Sequence, residues 1–303
     1  MNTETAPRAG RARRFAFFAV LILFALTHYP VPLFAILGWF IEEGATSHRV
    51  HEIVFGFIFT MNLVGLLAQL RKPELRVAQM YQVFIISWLL VATTLIVDRE
   101  IFINVVFFFV LPPVLVILHP ARDQLLRPVI NLSRVLLILL LAAAIPWVYY
   151  AVNEFRIGLD ASRVATPVFE IVENRLPDDA TEDEFEDALL AELRRATDSN
   201  EEFEAAQHSG HWSAMGAFAL IILGLAGVGA LRPTGWRVPA WCAGLSAILY
   251  GSASFANPGD ASSATSLWAL LAIVWGVVFI LATERERREF QPAGEAVGQP
   301  APA

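Results

Sequence analysis

The chain has 303 residues, 56% of them hydrophobic, and a formal net charge of −7. Soluble domains sit nearer about 45–50% apolar, and the excess here falls in blocks of roughly 20 residues, the length a helix needs to cross the hydrocarbon layer. A purely soluble domain is thereby excluded, and with a single cysteine, Cys242, so are an intrachain disulfide and cysteine-built zinc or iron–sulfur sites.

Residues 1–14 are polar and basic, with Arg8, Arg11, Arg13 and Arg14 ahead of the first apolar block. That block runs past Thr27-His28-Tyr29 to Phe40 with no small-residue cleavage site, so it reads as an uncleaved first span over about 15–40, kinked at Pro30 and Pro32. Spans two to five are expected over about 51–70, 77–97, 101–119 and 133–151, the fourth kinked at Pro112-Pro113 and the fifth ending in the interfacial aromatics Trp147, Tyr149 and Tyr150.

Residues 152–207 change character, being acidic and short of aromatics. Thr181-Glu182-Asp183-Glu184 is a capping box, and Phe185, Leu189, Leu190 and Leu193 form one apolar stripe behind it. The segment reads as a small, partly helical insertion that packs on the membrane part. Spans six to eight follow over about 211–232, 238–255 and 266–283, and a polar tail, expected to lack structure, fills 284–303. The domain plan is thus 1–14, 15–151, 152–207, 208–283 and 284–303. The expected fold is an all-α, polytopic transmembrane bundle of about eight spans with an acidic extracytoplasmic insertion.

Counted alternately, the loops around Arg71, Arg122 to Arg134 and Arg232, with both termini, fall on one side and are rich in arginine. Glu42-Glu43, Asp98, the acidic insertion and Asp260 fall on the other. This is the positive-inside pattern, which predicts a multi-pass protein of the cell membrane with cytoplasmic termini.

The topology places His48 and His51 at the outer mouth of span two and His208 and His211 at the outer mouth of span six. His28 lies near the middle of span one, and His119 stands alone inside. Residues at i and i+3 share a helix face, so each pair can offer two imidazoles to one centre. Imidazole suits copper, zinc, nickel and haem iron. Glu52 beside His51 is a candidate ligand or the acceptor that fixes its tautomer, and Met215 is a soft candidate one turn beyond His211. Interfacial histidines are also ordinary amphipathic side chains in the headgroup layer. The ordinary role for His28 is a hydrogen bond to a carbonyl freed by a proline.

Asn62, Gln82, Ser87, Thr93, Thr94 and Asn104 are expected to hydrogen-bond between helices, and Ser213/Ala217, Ala226/Ala230 and Ala247/Gly251 to let spans six and seven pack closely. No expected span carries an acid or base at its centre, which argues against an ion-coupled transporter. Walker, Cys-x-x-Cys-His and Gly-x-Ser-x-Gly motifs are absent, and no basic, aromatic-interleaved groove points to nucleic acid.

The run His48-Arg49-Val50-His51-Glu52-Ile53-Val54-Phe55-Gly56-Phe57 resembles the start of the second span in the NnrS family of haem- and copper-containing membrane proteins associated with nitric-oxide stress. His51, Glu52, Phe55, Gly56 and Phe57 carry the resemblance. The histidines are three apart here rather than two, Ile53 replaces a methionine, and about eight spans are fewer than the family has. The resemblance implies that His51 and His48 ligate metal or haem. The first functional expectation is therefore a b-type haem or copper ion held by His48, His51, His208 and His211, with His28 as an axial ligand or buried partner. The alternatives are a metal-free scaffold that docks a protein partner through the acidic insertion, and a zinc-dependent membrane hydrolase with Glu52 as general base.

Overall fold

The computed structural model describes residues 10–28, 49–97, 102–177, 180–207, 209–260 and 262–289, and these are helical with no strand among them. The helices are α1 (Arg11–His28), α2 (Arg49–Ala68), α3 (Val77–Val97), α4 (Phe102–Leu118), α5 (Arg122–Leu126) and α6 (Arg134–Arg175). After these come α7 (Glu182–Ala196), α8 (Asn200–Gln207), α9 (Ser209–Leu231), α10 (Arg237–Ala256) and α11 (Ser266–Glu289). Without water in a bilayer core, a helix is the one open-ended element that satisfies its own backbone polar groups, which is why the apolar blocks become helices.

Helix α9 is the centre. Its sequence is apolar all round, and so are its surroundings: Met215, Phe218, Ile221, Ile222, Leu225 and Ala226 are all fully buried. It packs against α6, α3, α10 and α2. Close approach is permitted by missing side chains, since a Cβ at Gly216 would enter the Phe155 ring of α6 and one at Gly224 would meet Ile85 of α3. Helices α10 and α11 touch backbone to backbone, because a Cβ at Gly244 would lie 2.9 Å from the Gly276 carbonyl oxygen.

A second apolar cluster, around Phe17, Leu21, Phe24, Leu66, Met80 and Leu115, joins α1 and α4 to α2 and α3. The outward faces are equally apolar. Ile145 is 80% exposed, and Phe15, Ile138, Leu141, Leu271 and Val274 also face outwards. Such a belt on a water-soluble surface is an aggregation hazard; with hydrocarbon as solvent it costs nothing.

Six helical segments are long and apolar enough to cross a membrane: Arg49–Ala68, Val77–Ile96, Arg134–Arg175, Gly210–Leu231, Arg237–Ala256 and Ser266–Arg288. The expected spans one and four fall short among the described residues. α1 begins with Arg11, Arg13 and Arg14, and α4 has 17 residues. The α4 helix continues through Pro112 and Pro113. The expected kink at Pro30 and Pro32 lies outside the described residues, as do Glu42-Glu43, Asp98 and most of the tail. The tail itself starts later than expected, since α11 is helical to Glu289.

Helix α6 has 42 residues, about 63 Å at 1.5 Å per residue, twice the depth of a hydrocarbon layer. The change to polar sequence at Asn153 ended the expected span but is no stop signal. Ser133 caps the start, accepting from the Leu136 amide at 3.1 Å, and the helix ends only at Leu176, ahead of Pro177. On its distal half, Val168 and Val172 pack with Leu193 of α7 and Phe203 and Ala206 of α8. The capping box is formed: Glu184 N–H donates to Thr181 Oγ1 at 3.3 Å, and Thr181 N–H donates to Glu184 Oε2 at 2.9 Å.

Asn62 Nδ2 donates to Ser87 Oγ at 3.0 Å and Gln82 Nε2 to the Met61 carbonyl at 2.6 Å, joining α2 to α3. Thr93 and Thr94 instead bond back to carbonyls of their own helix, as threonine does where no partner is in reach. Replacing Gly216 by valine forces Phe155 or α9 to shift, and a loss of about 1–3 kcal/mol is expected. Thermal unfolding in detergent checks this against Gly259→Ala, whose Cβ enters open space.

Candidate functional site

The helix ends sort into two poles. At one, the arginine-rich loops interlock. Arg13 donates to the Pro120 carbonyl at 3.4 Å, Ala78 N–H to that of Thr234 at 2.9 Å, and Asn131 N–H to that of Leu231 at 3.0 Å. Arg232 pairs with Glu286 at 2.7 Å, and Arg237 with Glu284 at 2.5 Å.

His119 belongs to this pole and has an ordinary structural role. Its Nδ1 accepts from the Ala121 amide at 3.0 Å, so Nε2 carries the proton and donates to Gln69 Oε1 at 3.1 Å. Burial, aided by the nearby Arg13 charge, lowers its pKa from 6.5 to about 4. The unfolded chain binds a proton there that the folded chain resists. The stability this confers is complete above pH ~6.5 and is lost as pH falls towards 4, with a slope of at most about 1.4 kcal/mol per pH unit. His119→Gln is expected to flatten the acid limb of a plot of unfolding midpoint against pH; an unchanged limb would contradict this.

The opposite pole holds the candidate site. His51 and His211 are each the third residue of a helix, α2 and α9. Their rings lie face to face, with centroids 3.8 Å apart and planes 9° from parallel. His51 is 5% exposed. Behind it the aromatic column continues through Phe55, at 5.7 Å, and Phe59 to Phe108. Glu52 is half-buried beside His51. Met215, one turn below His211, is fully buried in the core.

The start of α2 is fixed by a residue distant in sequence. Buried Asp260, in the α10–α11 loop, accepts from Val50 N–H through Oδ2 at 3.1 Å and from Ser262 N–H through Oδ1 at 3.0 Å. It acts as an N-cap supplied by another segment, and its negative charge suits the positive end of the helix. On the other helix, Trp212 Nε1 donates to the Ala205 carbonyl at 3.3 Å, tying α9 to α8.

Next to this lies a polar patch that span-by-span reading missed. Tyr150 and Tyr250 have ring centroids 5.4 Å apart, with Trp147 and Phe218 against Tyr250. Tyr250 donates to the Ser262 carbonyl at 3.3 Å. Glu154, one turn beyond Tyr150, is 4% exposed. Its Oε2 and the Tyr150 hydroxyl find no hydrogen-bond partner at normal geometry among the described residues. The signal was present: Glu154 follows Tyr150 by four positions, one turn of a helix that continues past the end of the apolar block.

Of the candidate ligands, then, His51 and His211 are brought together. His48 and His208 lie outside the described residues. His28 closes α1, one turn beyond Phe24, whose ring contacts Phe108. Among the described residues, no group of three or more His, Cys, Asp or Glu is arranged to hold a metal ion. No family model, curated protein or solved structure matches the chain.

Asp260→Ala removes the α2 cap, and a loss of about 1–2 kcal/mol is expected. Hydrogen exchange should show it as faster opening of the first turn of α2, with the first turn of α10 unchanged.

Proposed function

We propose that the chain is a multi-pass protein of the cell membrane that binds a transition-metal ion, copper by preference, between the mouths of α2 and α9. The observation that carries this reading is the ring contact between His51 and His211 at 3.8 Å. Neutral imidazole is the ligating form. The parallel planes do not leave iron between the rings, so a haem held axially by both fits this arrangement poorly. A small ion reached by a turn about each Cβ–Cγ bond fits better. Helix N-termini oppose a cation by about 0.3–1 kcal/mol each; Asp260 and Glu52 offset that cost. The i, i+3 spacing of His48 and His208 in the sequence makes them the natural further ligands.

In this reading the arginine pole faces the cytoplasm. Helices α1 and α4 complete eight spans, supported by their outward Phe15, Ile22, Leu23 and Phe107 and by their shared apolar cluster. The α6–α8 unit is then the extracytoplasmic insertion. Exposed Asp183, Glu186 and Asp187 on α7 favour a second role for it, docking a basic partner.

The protein purified in detergent is expected to carry about one copper per chain by elemental analysis. His51→Ala and His211→Ala should each weaken copper at least about tenfold, the scale of a lost ligand or its support. Absence of stoichiometric copper, zinc and iron, with no Soret band, would contradict the proposal.

A further inference from the structure

On the buried face of α6, Trp147, Ala151, Glu154, Gly158 and Ala161 follow one another at helical spacing. Glu154, 4% exposed, is the charged member of that row. Ala151 and Gly158, a turn to either side of it, are small, so little side chain crowds the carboxyl group.

Glu154 has no counter-charge in the fold. Arg156 is exposed, and among the described residues no cation pairs with Glu154. The adjacent Asn153 offers an amide to the carboxyl group, yet Oε2 is buried without a hydrogen-bond partner. One turn back on the same face, the Tyr150 hydroxyl is buried in the same condition. Tyr250 stands beside it and gives its own proton to the Ser262 carbonyl at 3.3 Å, so the Tyr250 oxygen faces Tyr150 as an acceptor. The Tyr150 proton turns towards Tyr250, and the lone pairs of the Tyr150 oxygen are left over. Two acceptor oxygens, one of them ionisable, thus share one face of α6.

The simplest occupants do not serve both. The two groups do not hydrogen-bond each other, so a proton on Glu154 leaves the Tyr150 oxygen unserved. A water bridges both but leaves the carboxylate charge uncompensated among apolar helices, which is costly. We infer that the Glu154 carboxylate and the Tyr150 hydroxyl bind an alkali-metal cation of sodium's class. Oxygen donors suit hard cations, whereas copper is better served by imidazole. A single charge suffices. Asp260, the other buried carboxylate nearby, already accepts from the Val50 and Ser262 amides and faces the positive end of α2. Calcium gathers about six to eight oxygens, several of them from carboxylates, a set this face does not offer. The site is separate from the imidazole pair, and the inference holds with or without copper there.

The test follows thermal unfolding of the full chain, in neutral detergent and stripped of sodium, with sodium, choline or calcium chloride at matched ionic strength. Sodium is expected to raise the unfolding midpoint saturably; choline and calcium are not. Glu154→Gln keeps the shape of the side chain and removes the charge. It should unfold no earlier than the unaltered protein in choline and should lose the sodium shift. Tyr150→Phe should weaken sodium about tenfold. Equal shifts from sodium and choline in the unaltered protein would overturn the inference, whether or not the variants fold. So would a full sodium shift in folded Glu154→Gln, or an effect of calcium that equals or exceeds that of sodium.

Discussion

Helix α9 has almost no side of its own to give to lipid, and the rest of the bundle follows from that. A helix apolar all round gains most when other helices cover it, and its glycines set how near they come. Gly216 admits Phe155 of α6 and Gly224 admits Ile85 of α3. In hydrocarbon there is no hydrophobic drive between helices, so this contact packing is what holds them. With α9 fixed at the centre, its third residue, His211, is fixed in height, and α2 beside it delivers His51 to the same level.

The two poles divide the work. The arginine pole is stitched by many hydrogen bonds between loops, including the neutral His119 that links Gln69 to the turn at Ala121. Among the described residues, the histidine pole is held by specific long-range contacts. Asp260 reaches across 210 residues of sequence to start α2, and Tyr250 anchors the same loop through the Ser262 carbonyl. A loop that sets the first turn of α2 also sets the position of His51, so the geometry of the imidazole pair depends on the α10–α11 loop.

The architecture was legible where physics acts locally. Blocks of about 20 apolar residues gave six of the eight expected spans, the arginines gave the two poles, and the Thr181 box gave the start of α7. Topology put His51 and His211 at the same pole, but that α2 and α9 stand side by side there could not be read from the sequence. What could not be read was long-range or continuous. Nothing near Asp260 marks it as a cap for Val50. The polarity change at Asn153 looks like an end, yet a helix satisfies its own backbone groups in either solvent and can pass from one to the other, and α6 runs on to Arg175. Glu154 and Tyr150 therefore escaped notice as neighbours. Thr93 and Thr94 read as interhelical and bond to their own helix, because sequence does not tell which carbonyl is nearer.

Everything at the histidine pole depends on the mouths of α2 and α9 opening against each other. The most direct test replaces both histidines with cysteine, His51→Cys and His211→Cys, in a Cys242→Ser background. The chain is oxidised in the membrane and then cut at a protease site placed in the α6–α7 connection. The two fragments are expected to stay joined until a reductant is added. Fragments that separate without reductant, from protein shown to be folded, would contradict that arrangement.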